Sequence, residues 1–244
     1  MITCELCKNS VATLKENSHI VPRWMLSTIK QNGRLITVES NKGIKYGVQK
    51  DLTSDIVCSN CEKRFALEDG FAADFFRNLK YAEKSKIFSD SGAVVKIEYH
   101  SGIAESQLLC FLLGVVLRMD LYQKKIGDAS LLGGAFDRIT EKYQKGKILK
   151  TEIPYLASKH PSLDETIIFP ERTRLDRRNA ITCMFFGYRF IIVTDRLGMT
   201  NWPEIQAWMA EPNLPILITD ESEDSLFKGI AHFAKGLPEL NRRK

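Results

Sequence analysis

The chain predicts an α+β protein in two parts: a zinc-stapled unit over residues 1–85, then a mixed α+β unit over residues 86–244 organised around one apolar helix. Three observations predict it. Two Cys-x-x-Cys pairs, Cys4/Cys7 and Cys58/Cys61, each place two thiolates on one tight turn, and two such turns complete a tetrahedral zinc shell. Ala104 to Tyr122 is a strongly apolar helical stretch. Around it lie segments of strand character: Ala93 to Tyr99, which alternates Val95, Ile97 and Tyr99 with Lys96 and Glu98, then Thr166 to Phe169, Tyr188 to Val193 and Leu214 to Thr219.

In chain order, Ser10 to Lys15 reads as a short strand leading into Ser18-His19. Pro22 suits the first turn of a helix through Ile29, which Asn32-Gly33 would stop. Arg34 to Glu39 and Ile44 to Gln49 read as a hairpin across Asn41-Lys42-Gly43, and this helix and hairpin together are expected to account for the 50-residue gap between the two cysteine pairs. A helix follows from Ser59 through Phe65, Phe71 and Phe75 toward Tyr81, weakened at Gly70. On it Glu62 and Asp69 share a face, whereas Glu68 points about a third of a turn away. Lys84 to Lys86 and Ser89 to Gly92 read as a linker. Further helices are expected over Ala135 to Gln144 and Ser225 to Gly236, the second followed by the basic end Arg242 to Lys244.

Composition bounds the function. With 244 residues and 44% hydrophobic content the chain has enough apolar material for a substantial core. Its net charge of +5 suits a polyanionic partner without requiring one. Six cysteines, four of them in knuckles, fit a reducing compartment rather than a disulfide scaffold, and Cys110 and Cys183 sit in apolar runs as buried thiols. The longest apolar run, Leu108 to Leu117, is ten residues broken by Gly114 and followed by Arg118. A bilayer span needs about 20 residues. Met1 leads straight to the first knuckle, so no targeting segment is expected and the predicted location is cytoplasmic, with no membrane partner.

His19 stands open to three readings. Four thiolates leave it free for chemistry; as a zinc ligand it would replace one cysteine in a Cys₃His shell; or it is an ordinary surface histidine. The pattern Cys4-x-x-Cys7, Ser18-His19-Ile20-Val21-Pro22 and Cys58-x-x-Cys61-Glu62 resembles the HNH, or ββα-metal, endonuclease superfamily in a zinc-stapled, treble-clef-like form. The resemblance covers about residues 1–80. It implies His19 as general base, Ser18 where an acidic metal ligand commonly stands, and Glu62 on the helical ligand position, with Glu68 a second candidate. It departs from the family in that serine, and in lacking the usual Gly-Gly and Asn between the two halves.

The cofactors so implied are a structural Zn2+ on Cys4, Cys7, Cys58 and Cys61 and a catalytic Mg2+ or Mn2+ on Glu62. The implied partner is nucleic acid, DNA ahead of RNA. Arg23 and Arg64 are candidates to steady the phosphodiester, and Arg172, Arg174, Arg177 and Arg178 form the densest basic cluster, fit either to track a phosphate backbone or to sit in a solvated loop. The second unit would supply substrate choice, homo-oligomerisation or docking to a partner ATPase or sensor. By analogy alone, such nucleases suggest anti-phage defence. A different class of function is also open: a zinc-stapled module that binds nucleic acid or protein without cutting. The acidic run Asp220 to Asp224 and residues His100, His160 and His232 are assigned no chemistry.

Overall fold

The computed structural model describes residues 1–29, 36–39, 43–46, 52–79, 84–90, 93–160, 163, 167–175, 177–195 and 203–218. The chain begins with two small ribbons. Strands β1 (Ile2–Thr3) and β2 (Ser10–Val11) flank the first knuckle, and β3 (Ser18–His19) pairs with β6 (Thr53–Ser54). Between these lie helix α1 (Arg23–Ile29) and the hairpin β4 (Ile36–Glu39) and β5 (Gly43–Tyr46). The strand expected over Ser10 to Lys15 stops at Val11. Beyond it the Lys15 N–H donates to the Val57 carbonyl at 2.7 Å, which turns the chain toward the His19 strand.

Helix α2 (Ser59–Asn78) starts directly after the second knuckle. It packs on helix α3 (Glu105–Lys125), whose residues Leu108 to Leu121 are all buried. A helix apolar on every side must be covered on every side. Here α2 covers one side, and Phe111 meets Phe185 of the sheet at 5.9 Å between ring centroids. A 3-10 turn (Gly133–Ala135) leads into helix α4 (Phe136–Gln144), and helix α5 (Pro203–Ala210) precedes the last described strand.

The second half forms a seven-stranded sheet: β10 (Ile167–Leu175), β11 (Arg178–Phe185), β12 (Tyr188–Val193), β9 (Tyr155–Lys159), β13 (Leu214–Ile218), β8 (Ala93–His100) and β7 (Lys84–Asp90), in that spatial order. Neighbours are antiparallel except β13 and β9, which run parallel. Lys84 to Asp90 is therefore an edge strand and not the expected linker. Its lysines and serines are what an exposed sheet edge tolerates, so composition hides it. Strand β9 escapes sequence reading for the opposite reason: Tyr155 to Ser158 is buried throughout, with no alternation to see. The expected strand at Thr166 to Phe169 extends to Leu175, so Arg172 and Arg174 stand on a strand instead of a loop.

One buried apolar cluster runs from Cys4, Leu6 and Ile20 through Phe65 and Phe75 to Phe111, Phe185 and Ile216. The core thus crosses residue 85. Among the described residues, no helix is long and apolar enough to cross a membrane. The expected helix at Ser225 to Gly236, the acidic run Asp220 to Asp224, the basic C-terminal residues and the Asn32-Gly33 helix stop lie outside the described residues.

Candidate metal centre and active-site cradle

The first knuckle closes because Lys8 adopts a left-handed φ of 59°, which lets its N–H donate to the Cys4 carbonyl at 2.7 Å. The second is the start of α2, where Cys58 is the N-cap residue and the Glu62 N–H donates to its carbonyl at 3.0 Å. The Sγ atoms of Cys4, Cys7, Cys58 and Cys61 all lie within 4.8 Å of one another. The Cys4–Cys61 and Cys7–Cys58 sulfur separations are 3.9 Å and 3.7 Å, far outside the ~2.05 Å of a disulfide. The Cys58 N–H also points at the Cys4 sulfur, at 3.4 Å.

Burial raises the Cys58 thiol, yet the Cys61 N–H and the neighbouring thiols outweigh it and lower the group to about 7. Burial, with Cys4 beside it, pushes Cys61 up. Four sulfurs so placed do not all ionise without a cation between them, and a tetrahedral thiolate cage fits Zn2+. Among the described residues this is the one group of three or more His, Cys, Asp or Glu side chains with ligand atoms close enough to share an ion. His19 is not part of it.

The His19 strand is held by the same segment that delivers Cys58. The Asn17 N–H donates to Asp55 Oδ1 at 2.9 Å and the Ile20 N–H donates to the Leu52 carbonyl at 2.9 Å, while Ser18 and His19 pair with Ser54 and Thr53. Ile20, Val21 and Met25 are fully buried behind the strand. Side chains alternate along a strand. Ser18 turns inward, fully buried, and its hydroxyl donates to the Lys15 carbonyl at 3.3 Å, whereas His19 is half-buried.

Glu62 is half-buried, one residue past the second thiolate pair. Its Oε2 is buried and has no hydrogen-bond partner among the described residues. A buried carboxyl oxygen without a hydrogen-bond partner is costly, and an oxygen of this type is one that a hard metal ion could take as a ligand. Glu68 is placed differently. Its Oε2 accepts from the Tyr143 hydroxyl at 2.7 Å and its Oε1 accepts from Arg64 Nε at 3.2 Å. Burial nevertheless raises its pKa, against the lowering effect of Tyr143 and Arg64. Arg64 is spent on the same junction: it stacks on the Tyr143 ring at 4.1 Å and donates to the Tyr143 and Gln144 carbonyls at the end of α4. Glu68 and Arg64 thus brace α2 against α4.

Two residues beyond the sequence-derived set complete the cradle. Arg118 of α3 is 1% exposed, and its guanidinium grips both oxygens of Asp69 on α2, at 2.9 Å and 2.6 Å. It also donates to the Gly114 carbonyl at 3.3 Å and to the main-chain carbonyl of His19 at 3.4 Å, and lies over the Phe65 ring at 4.6 Å. Burial works against its charge, but Asp69, then Tyr143 and Glu62, more than restore it. The sequence signal was a lone arginine at the end of an apolar helical run. A buried charge requires a partner.

The basic quartet is divided. Arg172 and Arg174 share one face of β10, opposite Ile181 and Asn179 of β11, while Arg178 pairs with Leu175 on the other face and Arg177 occupies the turn with φ of 64°. Arg172 donates to the Leu131 carbonyl at 3.0 Å and to that of Ser130. Arg172 and Arg174 line a cleft of about 600 Å³ with Gly133, Asn179 and Asp195. Arg23 is exposed at the start of α1. Comparison with protein families, with curated proteins and with solved structures gives no match to this chain.

Proposed function

We propose that this protein is a metal-dependent HNH-type nuclease that hydrolyses phosphodiesters, with DNA the first substrate to test. The observation that carries the reading is the unpartnered, buried Oε2 of Glu62, on the first turn of a helix whose N-terminus is clamped by four thiolates. Glu62 would hold Mg2+ or Mn2+, which when bound supplies Lewis-acid stabilisation of charge on the phosphate. His19, on a strand fixed by the segment that carries Cys58, would take the proton of the attacking water. The zinc cage would keep strand and helix at constant separation, as a site of this kind requires. Arg23 would add phosphate affinity that weakens with salt. Glu68 and Arg64 are braced elsewhere and carry no chemical step in this reading.

Full-length His19→Ala protein is expected to keep its zinc and its melting temperature and to lose Mn2+-dependent cleavage of plasmid DNA. Cleavage at the wild-type rate by that variant would rule out the base. One observation favours the rival reading, a zinc-braced binding module: at the position of the family's acidic ligand, the Ser18 hydroxyl is turned to the Lys15 carbonyl. Metal titration separates the two. A second, Mn2+-occupied site abolished by Glu62→Gln supports the nuclease, and zinc alone supports the binder.

A further inference from the structure

Arg118 belongs to the second half of the chain and yet reaches into the cradle of the first. Its side chain is almost wholly buried, so it cannot itself touch a phosphodiester backbone. Four of the five N–H donors of the guanidinium are nevertheless used on the framework: Nε on the Gly114 carbonyl, one on each terminal nitrogen on Asp69, and the second on Nη1 on the His19 carbonyl. A planar fork of this kind fixes angle as well as distance, which a lysine at the same place would not. Asp69 lies seven residues, about two helical turns, beyond Glu62 on the same face of α2. The one guanidinium therefore connects the backbone of the proposed base to the helix of the proposed metal ligand.

The geometry points to Arg118–Asp69 as a positioning clamp that sets where the His19 ring stands relative to Glu62. The consequence is that residues 86–244 are part of the site's machinery and not only an appended unit. Arg118 acts through His19 and is a positioning residue, not a catalytic one. The inference rests on the nuclease reading for its effect on rate, but its structural content is measurable without any cleavage.

The test uses the full-length Arg118→Met/Asp69→Leu double variant, because replacing both members of a buried pair by apolar residues of similar volume preserves packing where a single deletion would strand a charge. Arg118→Lys serves as the second variant, should the double variant fail to fold. Two quantities are read: the His19 ring C–H resonances by NMR, assigned with His19→Gln, and steady-state cleavage of plasmid DNA in Mn2+. The expected result is a moved His19 resonance, zinc still at one per chain, and kcat lower by about 100-fold with KM unchanged, the loss typical of a reacting group misplaced by about 1 Å. Arg118→Lys should recover part of kcat. An unmoved His19 resonance overturns the clamp. So does a moved resonance with kcat at the wild-type value. If the wild-type chain cuts nothing while the resonance moves, the clamp stands as a structural device and the nuclease reading falls alone.

Discussion

Gly114 sits in the interior of α3, where glycine is about 1 kcal/mol worse than alanine, so Gly114→Ala would ordinarily stabilise. A Cβ there would stand 2.9 Å from Glu68 Oε2 and 3.4 Å from Phe65 Cδ1. The first contact is too close to keep, and the Glu68 carboxylate is not free to swing away, because the Tyr143 hydroxyl and Arg64 hold it. Disturbing those bonds and overpacking the α2–α3 contact should cost about 2 kcal/mol. The net change is then about 1 kcal/mol destabilising, or a melting temperature lower by about 2–4 °C for a chain of this size. Differential scanning calorimetry reads it directly. The same substitution in a Glu68→Ala background should be neutral or favourable, since the clashing oxygen is gone, with a coupling of about 1 kcal/mol in the double-mutant cycle. A rise in melting temperature in the parent, or the same change in both backgrounds, would refute the close packing of α2 on α3 on which the reach of Arg118 depends.

Cys61→Ser should abolish the zinc measured by atomic absorption and release amide protection at Lys15, Ile20 and Glu62 in hydrogen exchange, while Phe185 and Ile192 in the sheet stay protected; uniform loss throughout would refute a local staple. Glu68 carries a carboxyl raised above 4.5 by burial, so the native state holds its proton more tightly than the unfolded chain. The stability this contributes is complete below pH 4.5 and is lost as pH rises through the folded value. Glu68→Gln should therefore flatten the dependence of unfolding free energy on pH in that window, and an unchanged slope in urea titrations would contradict the shift. Phe76, with ring centroids of Trp24, Phe75, Phe111, Phe185 and Phe190 all within 6.3 Å, joins α1, α2, α3 and the sheet. Phe76→Ala should cost about 3 kcal/mol by urea denaturation, and a loss below about 1 kcal/mol would mean the cluster is not packed as described.

What the sequence settled by itself was local. Two Cys-x-x-Cys turns announce a metal cage because the spacing alone puts paired sulfurs on one turn, and the four sulfurs do converge. The apolar run at Leu108 to Leu117 announces a buried helix because ten residues are long for a buried strand and short of a bilayer span, and α2 follows from its own periodicity. The placement of Glu62 one step past Cys61 was legible for the same reason. Tertiary structure decided the rest. Whether Glu68 or Asp69 turned toward the His19 strand depended on what α3 and α4 offered them: Tyr143 for one, Arg118 for the other. Arg64 reaches the end of α4, where the Tyr143 and Gln144 carbonyls accept from it. Sheet order, the edge strand at Lys84–Asp90 and the division of the arginine quartet were equally hidden. Each turns on a partner far away in the chain, and the choice of partner is made by burial and charge pairing in three dimensions, for which residue spacing carries no signal.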